Sequence, residues 1–396
     1  MPVTTHILEN GMNRFGKRLD ALHIILSVLA VLLLSACTSR PDTVTIYPRP
    51  EAAGIEGART VTVYVATTRE RAAQPIDGFT REREFDLSYA EFVISIPPDH
   101  DPGEIEWPYS PKANPEDYFT VLKHTMLSQS AFDARIARRA RETSQGSVGI
   151  FVHGFNVSFQ EGLFRMAQLA ADSNVPGVPV LFSWPSQARI LDYATDKESA
   201  TFSRDGLADV IEQVTAQSSV RSVMLFGHSM GGWLTMEALR QLSLEGKQTA
   251  LRKLNVILAA PDIDEDVFAA QVDVIGPLDP PLMVMVSSDD RALGFSRLIQ
   301  GNRQRTGQLD INDPEVLEQA QAMNVSLLDI SSISSRDMLN HSRYAALAAI
   351  YPELDEDADL GSDLRTAGVR FLDTMGRIID PANILGQAMD AQEAGR

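Results

Sequence analysis

Cysteine is almost absent from this chain. Its 396 residues include a single one, Cys37, which excludes an intramolecular disulfide and a cysteine-built metal centre. Basic residues are also in deficit, with 35 Lys and Arg against 53 Asp and Glu and a formal net charge of −18. That balance argues against nucleic acid as a partner and against electrostatic docking on anionic membranes. No apolar run reaches the ~20 residues of a comfortable membrane span. No internal repeat recurs, and no His-Glu-x-x-His or similar cluster offers ligands to a metal, so neither a metal nor an organic cofactor is expected. What is present, 44% hydrophobic and 22% charged residues, is the composition of a globular protein with a sizeable core.

Arg14, Lys17 and Arg18 precede an apolar run from Ala21 to Ala36. A basic start followed by about 15 apolar residues reads as a secretory signal. It ends in Leu34-Ser35-Ala36-Cys37, which resembles a bacterial lipobox. The resemblance implies that residues 1–36 are a lipoprotein signal peptide and that Cys37 becomes a lipidated first residue, holding the protein at a membrane without a spanning helix. A signal anchor retained as a helix is the alternative. Thr38, where an Asp is absent, resembles lipoproteins sorted to the outer membrane, so the expected location is the periplasmic face of that membrane in the cell envelope. Residues 37–58, rich in Pro, Thr and Gly without a hydrophobic period, read as a flexible tether.

Thr60–Thr67 alternates as a strand and Tyr89–Ile96 as a second, joined by a charged loop. Tyr118–Leu122 offers a short third strand, and Ser130–Arg141 a basic amphipathic helix. From Val148 the rhythm changes. Apolar strands at Val148–Val152, Pro179–Ser183, Ser222–Phe226, Asn255–Ala260, Leu282–Val286 and Val325–Ile330 alternate with helical patterns. Those patterns are Gln160–Ala171, Ser199–Gln217, Gly232–Leu242, Glu265–Val272, Ala292–Gln300 and His341–Ile350. Continuous apolar strands separated by helices predict a mostly parallel sheet covered on both faces, extended antiparallel at its N-terminal edge. The α/β domain is expected over 59–350, followed by an acidic tail over 351–396 with no recognisable chemistry.

The stretch Ser222-Val-Met-Leu-Phe-Gly-His-Ser-Met-Gly-Gly-Trp233 organises the rest. Gly-X-Ser-X-Gly between a strand and a helix is a nucleophile elbow, in which the serine takes strained dihedrals and bulky neighbours would collide. Ser229 is therefore the expected nucleophile. Serine needs a base, and the base a carboxylate that fixes its tautomer. In α/β-hydrolases the order is Ser, acid, His, and beyond Ser229 the chain holds one histidine, His341. For the acid, Asp289 and Asp290 follow one late strand, while Asp262 and Asp264 follow the strand before it, where helix capping is their other reading. Position alone leaves this open. His153-Gly-Phe-Asn156 ends the strand Val148–Val152, where the fold draws an oxyanion donor, so the amides of Phe155 and Met230 are expected to form the hole. His153 reads as a buried structural histidine, and His228 as one that packs or bonds locally.

Together these pieces resemble the esterase/lipase-like branch of the bacterial α/β-hydrolase superfamily long catalogued as a domain of unknown function. The matching stretches are Ala66-Thr-Thr-Arg69, Ile94-Ser-Ile-Pro97, His153-Gly-Phe-Asn156, Phe182-Ser-Trp-Pro-Ser186, Asp192-Tyr193 with Asp196 and Ser199-Ala200, Gly227–Gly232, Ala259-Ala-Pro-Asp-Ile-Asp264, Ser287–Leu293 and His341-Ser-Arg-Tyr344. The family's Ser-x-x-Asp-x-Ala-Leu pattern falls on Ser287, Asp290, Ala292 and Leu293, which favours Asp290. Its His-Ser-Tyr ending is His-Ser-Arg here, which leaves Arg343 without an assigned role. The resemblance implies a serine hydrolase that cleaves small-molecule or lipid carboxylic esters through an acyl-enzyme. A thioesterase or peptidase would use the same machinery, and a non-catalytic envelope lipoprotein on the same scaffold is the rival. Trp184, Tyr193 and Trp233 are candidates for an apolar pocket and equally for core.

Overall fold

The inner strands send alternate side chains to opposite faces of a sheet, and both faces are apolar. In β1 (Arg59–Arg71), Tyr64 and Ala66 enter one core while Val63 and Val65 enter the other. This period of two, buried on both sides, is why such strands read as unbroken apolar runs. The structure is a computed structural model that describes residues 40–346, apart from 109, 111, 174–176, 302 and 334–338, together with Ile378–Ile379. The expected signal peptide, Cys37, the last residues of His341–Ile350 and nearly all of the 351–396 tail lie outside the described residues.

The other strands are β2 (Phe79–Ile96), β3 (Thr120–Leu127), β4 (Ser147–Val152), β5 (Val178–Ser183), β6 (Ser222–His228), β7 (Leu254–Ala259), β8 (Leu282–Val286), β9 (Val325–Asp329) and β10 (Ile378–Ile379). They form one sheet in the order β10-β9-β8-β7-β6-β4-β5-β1-β2-β3. From β1 to β9 across its middle the sheet is parallel. β2 and β3 extend it antiparallel at the N-terminal edge, as the sequence predicts, and β10 pairs antiparallel with β9 at the other.

Among the described residues the helices longer than one turn are α1 (Gln129–Glu142), α2 (Phe159–Asp172), α3 (Tyr193–Phe202), α4 (Arg204–Thr215), α5 (Met230–Leu244), α6 (Glu265–Ile275), α7 (Arg291–Ile299) and α8 (Pro314–Ala322). α1, α4, α5 and α6 cover one face through Phe132, Leu207, Leu234 and Phe268, and α2 packs on the other through Leu163 and Phe164. Ser158 and Glu161 close a capping box on α2, so this helix begins directly after the loop His153–Val157.

Four sequence expectations need correction. Residues 37–58 are not all tether: Thr43–Ile46 and Pro50–Ala52 are 3-10 turns, Ile46 is fully buried, and Arg49 N donates to Val121 O at 2.7 Å. The compact unit accordingly begins at Thr43, not at residue 59; one apolar side chain fitted against the sheet suffices where no periodicity could announce it. Most of the charged loop between the first strands is itself strand, since Arg69 pairs with Arg83 and Arg71 with Phe79, and only residues 72–78 connect them. Ser199–Gln217 is two helices, α3 and α4, parted at Ser203, whose hydroxyl bonds Ser199 O and Thr68 Oγ1. His341 precedes the helical turn that starts at Arg343 rather than opening it.

Candidate active site

Ser229 joins the end of β6 to the start of α5 with φ 54° and ψ −121°, a conformation that costs of order 1–3 kcal/mol. Glycines allow the turn to close. A Cβ on Gly227 would lie 2.6 Å from Thr235 Oγ1 and 2.9 Å from Gly232 Cα, and one on Gly231 would lie 2.3 Å from Val152 O. A Cβ on Gly154 would meet His228 Nδ1 at 2.9 Å and Ser229 Cβ at 3.1 Å, so the loop after β4 lies directly against the elbow. Among the described residues, neither the Phe155 nor the Met230 amide donates to another group. The Met230 amide is one of the unpaired donors that open α5, where the helix dipole favours negative charge.

The expected acid candidates have different partners. Asp290 is 1% exposed and caps α7 by accepting from Leu293 N at 3.0 Å, and its other oxygen accepts from His341 Nδ1 at 2.7 Å. Asp289 is turned to Arg343, whose guanidinium donates to both its oxygens and to Ser287 Oγ. Those bonds hold its carboxyl down at about 2. Asp262 accepts from Tyr193 Oη and Ser296 Oγ, each at 2.6 Å, and Asp264 rather than Asp262 caps α6. His341 is thus brought to Asp290 alone among these four. It is also tied to the elbow: His228 Nε2 donates to His341 O at 3.2 Å, and the two rings lie 4.6 Å apart. Arg343, left unassigned by the sequence, also donates Nε to Ile333 O and so ties the segment carrying His341 to the turn carrying Asp289 and Asp290.

The sheet ends brace the Phe155 loop through His153, the buried structural histidine the sequence predicts, and through Trp184, Asp196 and Arg69, to which the sequence assigned no such role. His153 is 1% exposed, donates Nδ1 to Gly154 O, and stacks on Trp184 at 4.9 Å. Burial pushes its pKa down to about 3, so it is a neutral strut. Trp184, fully buried, donates Nε1 to His153 O at 2.7 Å. Asp196 accepts from Asn156 N, Ser186 Oγ and Gln187 N, while the buried Arg69 donates to Val157 O, Ser183 Oγ and Ser186 O. These groups hold the loop by both ends.

A strained serine between strand and helix, a carboxylate-bound histidine packed on the residue before it and two amides without an acceptor among the described residues match the parts of an α/β-hydrolase site. The profile of the family described as "Alpha/beta hydrolase of unknown function (DUF900)" matches residues 128–357, more than half of the chain. The chain belongs to this family. Ser229, Asp290, His341, Phe155 and Met230 all lie within the matched region, whereas Arg69 lies upstream of it. An uncharacterised protein of Nostoc sp. strain PCC 7120, alr1448, is 34% identical over 61 residues, 15% of this chain and 16% of that protein. The matched stretch therefore spans about a sixth of that relative's length. Among solved structures, a provisionally named hydrolase of Agrobacterium vitis S4 covers 74% of this chain and 98% of its own at 12% identity, TM-score 0.30. A lipase-esterase related protein of Clostridium acetobutylicum ATCC 824 covers 51% and 80% at 14% identity, TM-score 0.23. Among the described residues no group of three or more His, Cys, Asp or Glu is placed to hold a metal, and no helix is long and apolar enough to cross a membrane.

Tyr193 and Trp233 of the apolar-pocket candidates sit beside the site. Tyr193 packs edge-on against Phe155 at 5.1 Å, and burial beside Asp262 pushes its phenol up, so it remains a donor. Trp233 lies one turn into α5 beneath the Lys197 ammonium. Trp184 is core.

Proposed function

We propose that this family member is a serine hydrolase that cleaves carboxylic esters through an acyl-enzyme. The observation that carries the reading is the 2.7 Å bond from His341 Nδ1 to the buried Asp290, with the His341 ring 4.6 Å from that of His228, which directly precedes the strained Ser229. With Nδ1–H fixed on the carboxylate, Nε2 is left as the basic nitrogen. Ser229 Oγ attacks the ester carbonyl and passes its proton to Nε2. The Phe155 and Met230 amides receive the oxyanion, and His341 returns the proton to the leaving alcohol. Water then repeats the sequence on the acyl-enzyme. Ile190, Leu191, Phe295 and Leu298 are exposed apolar residues within three positions of Tyr193 or Ser296 in sequence.

The test is the intact mass of the domain from Thr43 before and after a fluorophosphonate, beside Ser229→Ala and His341→Ala. One adduct on the parent protein and none on either variant is the expected result; no adduct on folded protein would remove the reading. A panel of oxygen esters, thioesters and amides then ranks ester hydrolysis against the thioesterase and peptidase alternatives. We propose further that Cys37 is lipidated and tethers the enzyme in the envelope. Cys37→Ser should then release the protein from the membrane fraction, and continued attachment would exclude the lipid anchor.

A further inference from the structure

Behind the elbow lies a charged cluster that the triad does not use. Asp262 N donates to Ser229 O at 3.2 Å, so the Asp262 carboxylate leaves the chain next to the nucleophile. It is engaged by Tyr193 and Ser296, and Arg305 Nε stands 3.5 Å away. Arg305 is only 2% exposed, yet its Nε and one terminal nitrogen have no hydrogen-bond acceptor among the described residues. Unfilled donors on a buried guanidinium are costly and rare unless something else fills them.

Lys197 adds a second cation. It lies one turn after Tyr193 on α3, on the same face. Its ammonium sits 3.7 Å from the centroid of the Trp233 ring and makes no hydrogen bond or ion pair among the described residues. The carboxylates around it are otherwise occupied: Asp262 as above, and Glu237 accepting from Gln271 Nε2. Trp233 follows Ser229 by one helical turn, about 5.4 Å along the axis. An ammonium held there lies within reach of a substituent a few carbons beyond an ester carbonyl bound at Ser229.

We propose that Lys197, backed by Arg305, recognises a carboxylate carried by the substrate, so that the preferred esters are half-esters of dicarboxylic acids. Asp262 offsets the charge of Arg305 and Glu237 partly offsets that of Lys197, which leaves at most one net positive charge for the incoming group. A monoanion matches that better than a dianionic phosphate. The Trp233 face keeps the ammonium desolvated and in place, and desolvation is what makes an ion pair at this site strong. The inference rests on the ester-hydrolase reading.

The experiment compares kcat/KM for mono-4-nitrophenyl glutarate and 4-nitrophenyl valerate, which match in length and differ in the terminal carboxylate. The wild-type protein should favour the glutarate, and Lys197→Met, which keeps the stem over Trp233, should lower the glutarate-to-valerate ratio by about tenfold or more. Lys197→Arg should restore part of it. The loss should appear in KM, since the contact is made equally in ground and transition states. An unchanged ratio in Lys197→Met, or a stronger preference for a phosphate-bearing ester, overturns the proposal. Should the protein take up no fluorophosphonate and cleave neither ester, the hydrolase reading fails on its own. Calorimetric binding of monomethyl glutarate then decides for the site: affinity weakened about tenfold by Lys197→Met upholds it, and no binding to the wild-type protein rejects it.

Discussion

Replacing Gly231 by alanine would place a methyl group 2.3 Å from Val152 O and 2.4 Å from His153 O. Both obstacles are backbone, so no side chain can rotate away, and ordinary contact begins only at 3.4 Å. The first turn of α5 and the end of β4 must therefore separate by roughly 1 Å, a displacement of the size that costs on the order of a hundredfold in rate when it falls on reacting groups. It falls on them here. Met230 stands on one side of this contact and the loop carrying Phe155 on the other, so opening it moves apart the two amides assigned to the oxyanion. Overpacking of this kind also destabilises by about 1–3 kcal/mol, so the variant should fold with a lowered melting temperature. The assay is kcat on a neutral 4-nitrophenyl ester together with the rate of fluorophosphonate labelling, both on protein shown to be folded by its thermal melt. Gly149→Ala, in the same strand β4, is the control, because its Cβ would meet nothing within 4 Å. A folded Gly231→Ala protein with kcat within about threefold of the parent would refute the argument, since it would mean that a shift of this size does not disturb the hole.

The other predictions are these. Asp290→Asn should lower kcat by about 10⁴, the effect of losing the carboxylate that fixes a triad histidine. Asp289→Asn, which loses a half-exposed pairing to Arg343, should stay within about tenfold, and equal losses in the two variants would reject Asp290 as the acid. The carboxylate preference assigned to Lys197 should fade as pH rises through about 8, because burial lowers its pKa to that value against the counter-effect of Asp262 and Glu237, with Arg305 adding to the depression. The glutarate-to-valerate ratio cancels titrations shared by both esters, and a ratio flat from pH 6.5 to 9.5 would contradict the assignment. His100, set 2.8 Å from both Glu106 and Asp172, should give a stabilising clasp that weakens in base. Burial opposes its charge, but the hydrogen bonds to Asp172 and Glu106 outweigh burial and raise its pKa above 6.5. Its contribution is therefore full below pH 6.5 and lost as pH rises through the raised value. The melting-temperature gap between wild type and His100→Leu should narrow accordingly, and a gap independent of pH would exclude the clasp.

The parallel core was legible because both its faces are buried, which turns each strand into an apolar run that no other element interrupts. The elbow was legible for a different reason: Gly227, Ser229, Gly231 and Gly232 are neighbours in sequence, so their pattern shows even though Gly231 and Gly232 avoid collisions with the distant Val152, His153 and Pro261. Where a distant partner leaves no such pattern, the reading stops. Ile46 joins the core without any periodic company, so Thr43–Ala52 looks like linker. The charged residues from Arg69 to Arg83 look like a loop, because a two-stranded extension need not alternate apolar and polar side chains. α8 was overlooked although Asp313-Pro314 carries a helix start, with Asp313 accepting from Glu315 N and Pro at the first position.

The acid shows most clearly why sequence position runs out. Asp262, Asp264, Asp289 and Asp290 all leave strands at the same edge of the sheet, and each finds a fixed partner: Tyr193 with Ser296, Arg303, Arg343 and His341 respectively. Each of those partners lies at least 34 residues away in sequence, so no local pattern separates the four. What separates them is saturation. A buried carboxylate accepts only a few hydrogen bonds, and once Asp262 has taken Tyr193 and Ser296 it has little left to offer an imidazole. Asp289 is likewise filled by Arg343, the residue by which this chain departs from the family's His-Ser-Tyr ending. Arg343 therefore does more than brace a loop: by occupying Asp289 it removes the adjacent carboxylate from competition for His341, and Asp290 is left as the acceptor the histidine can reach.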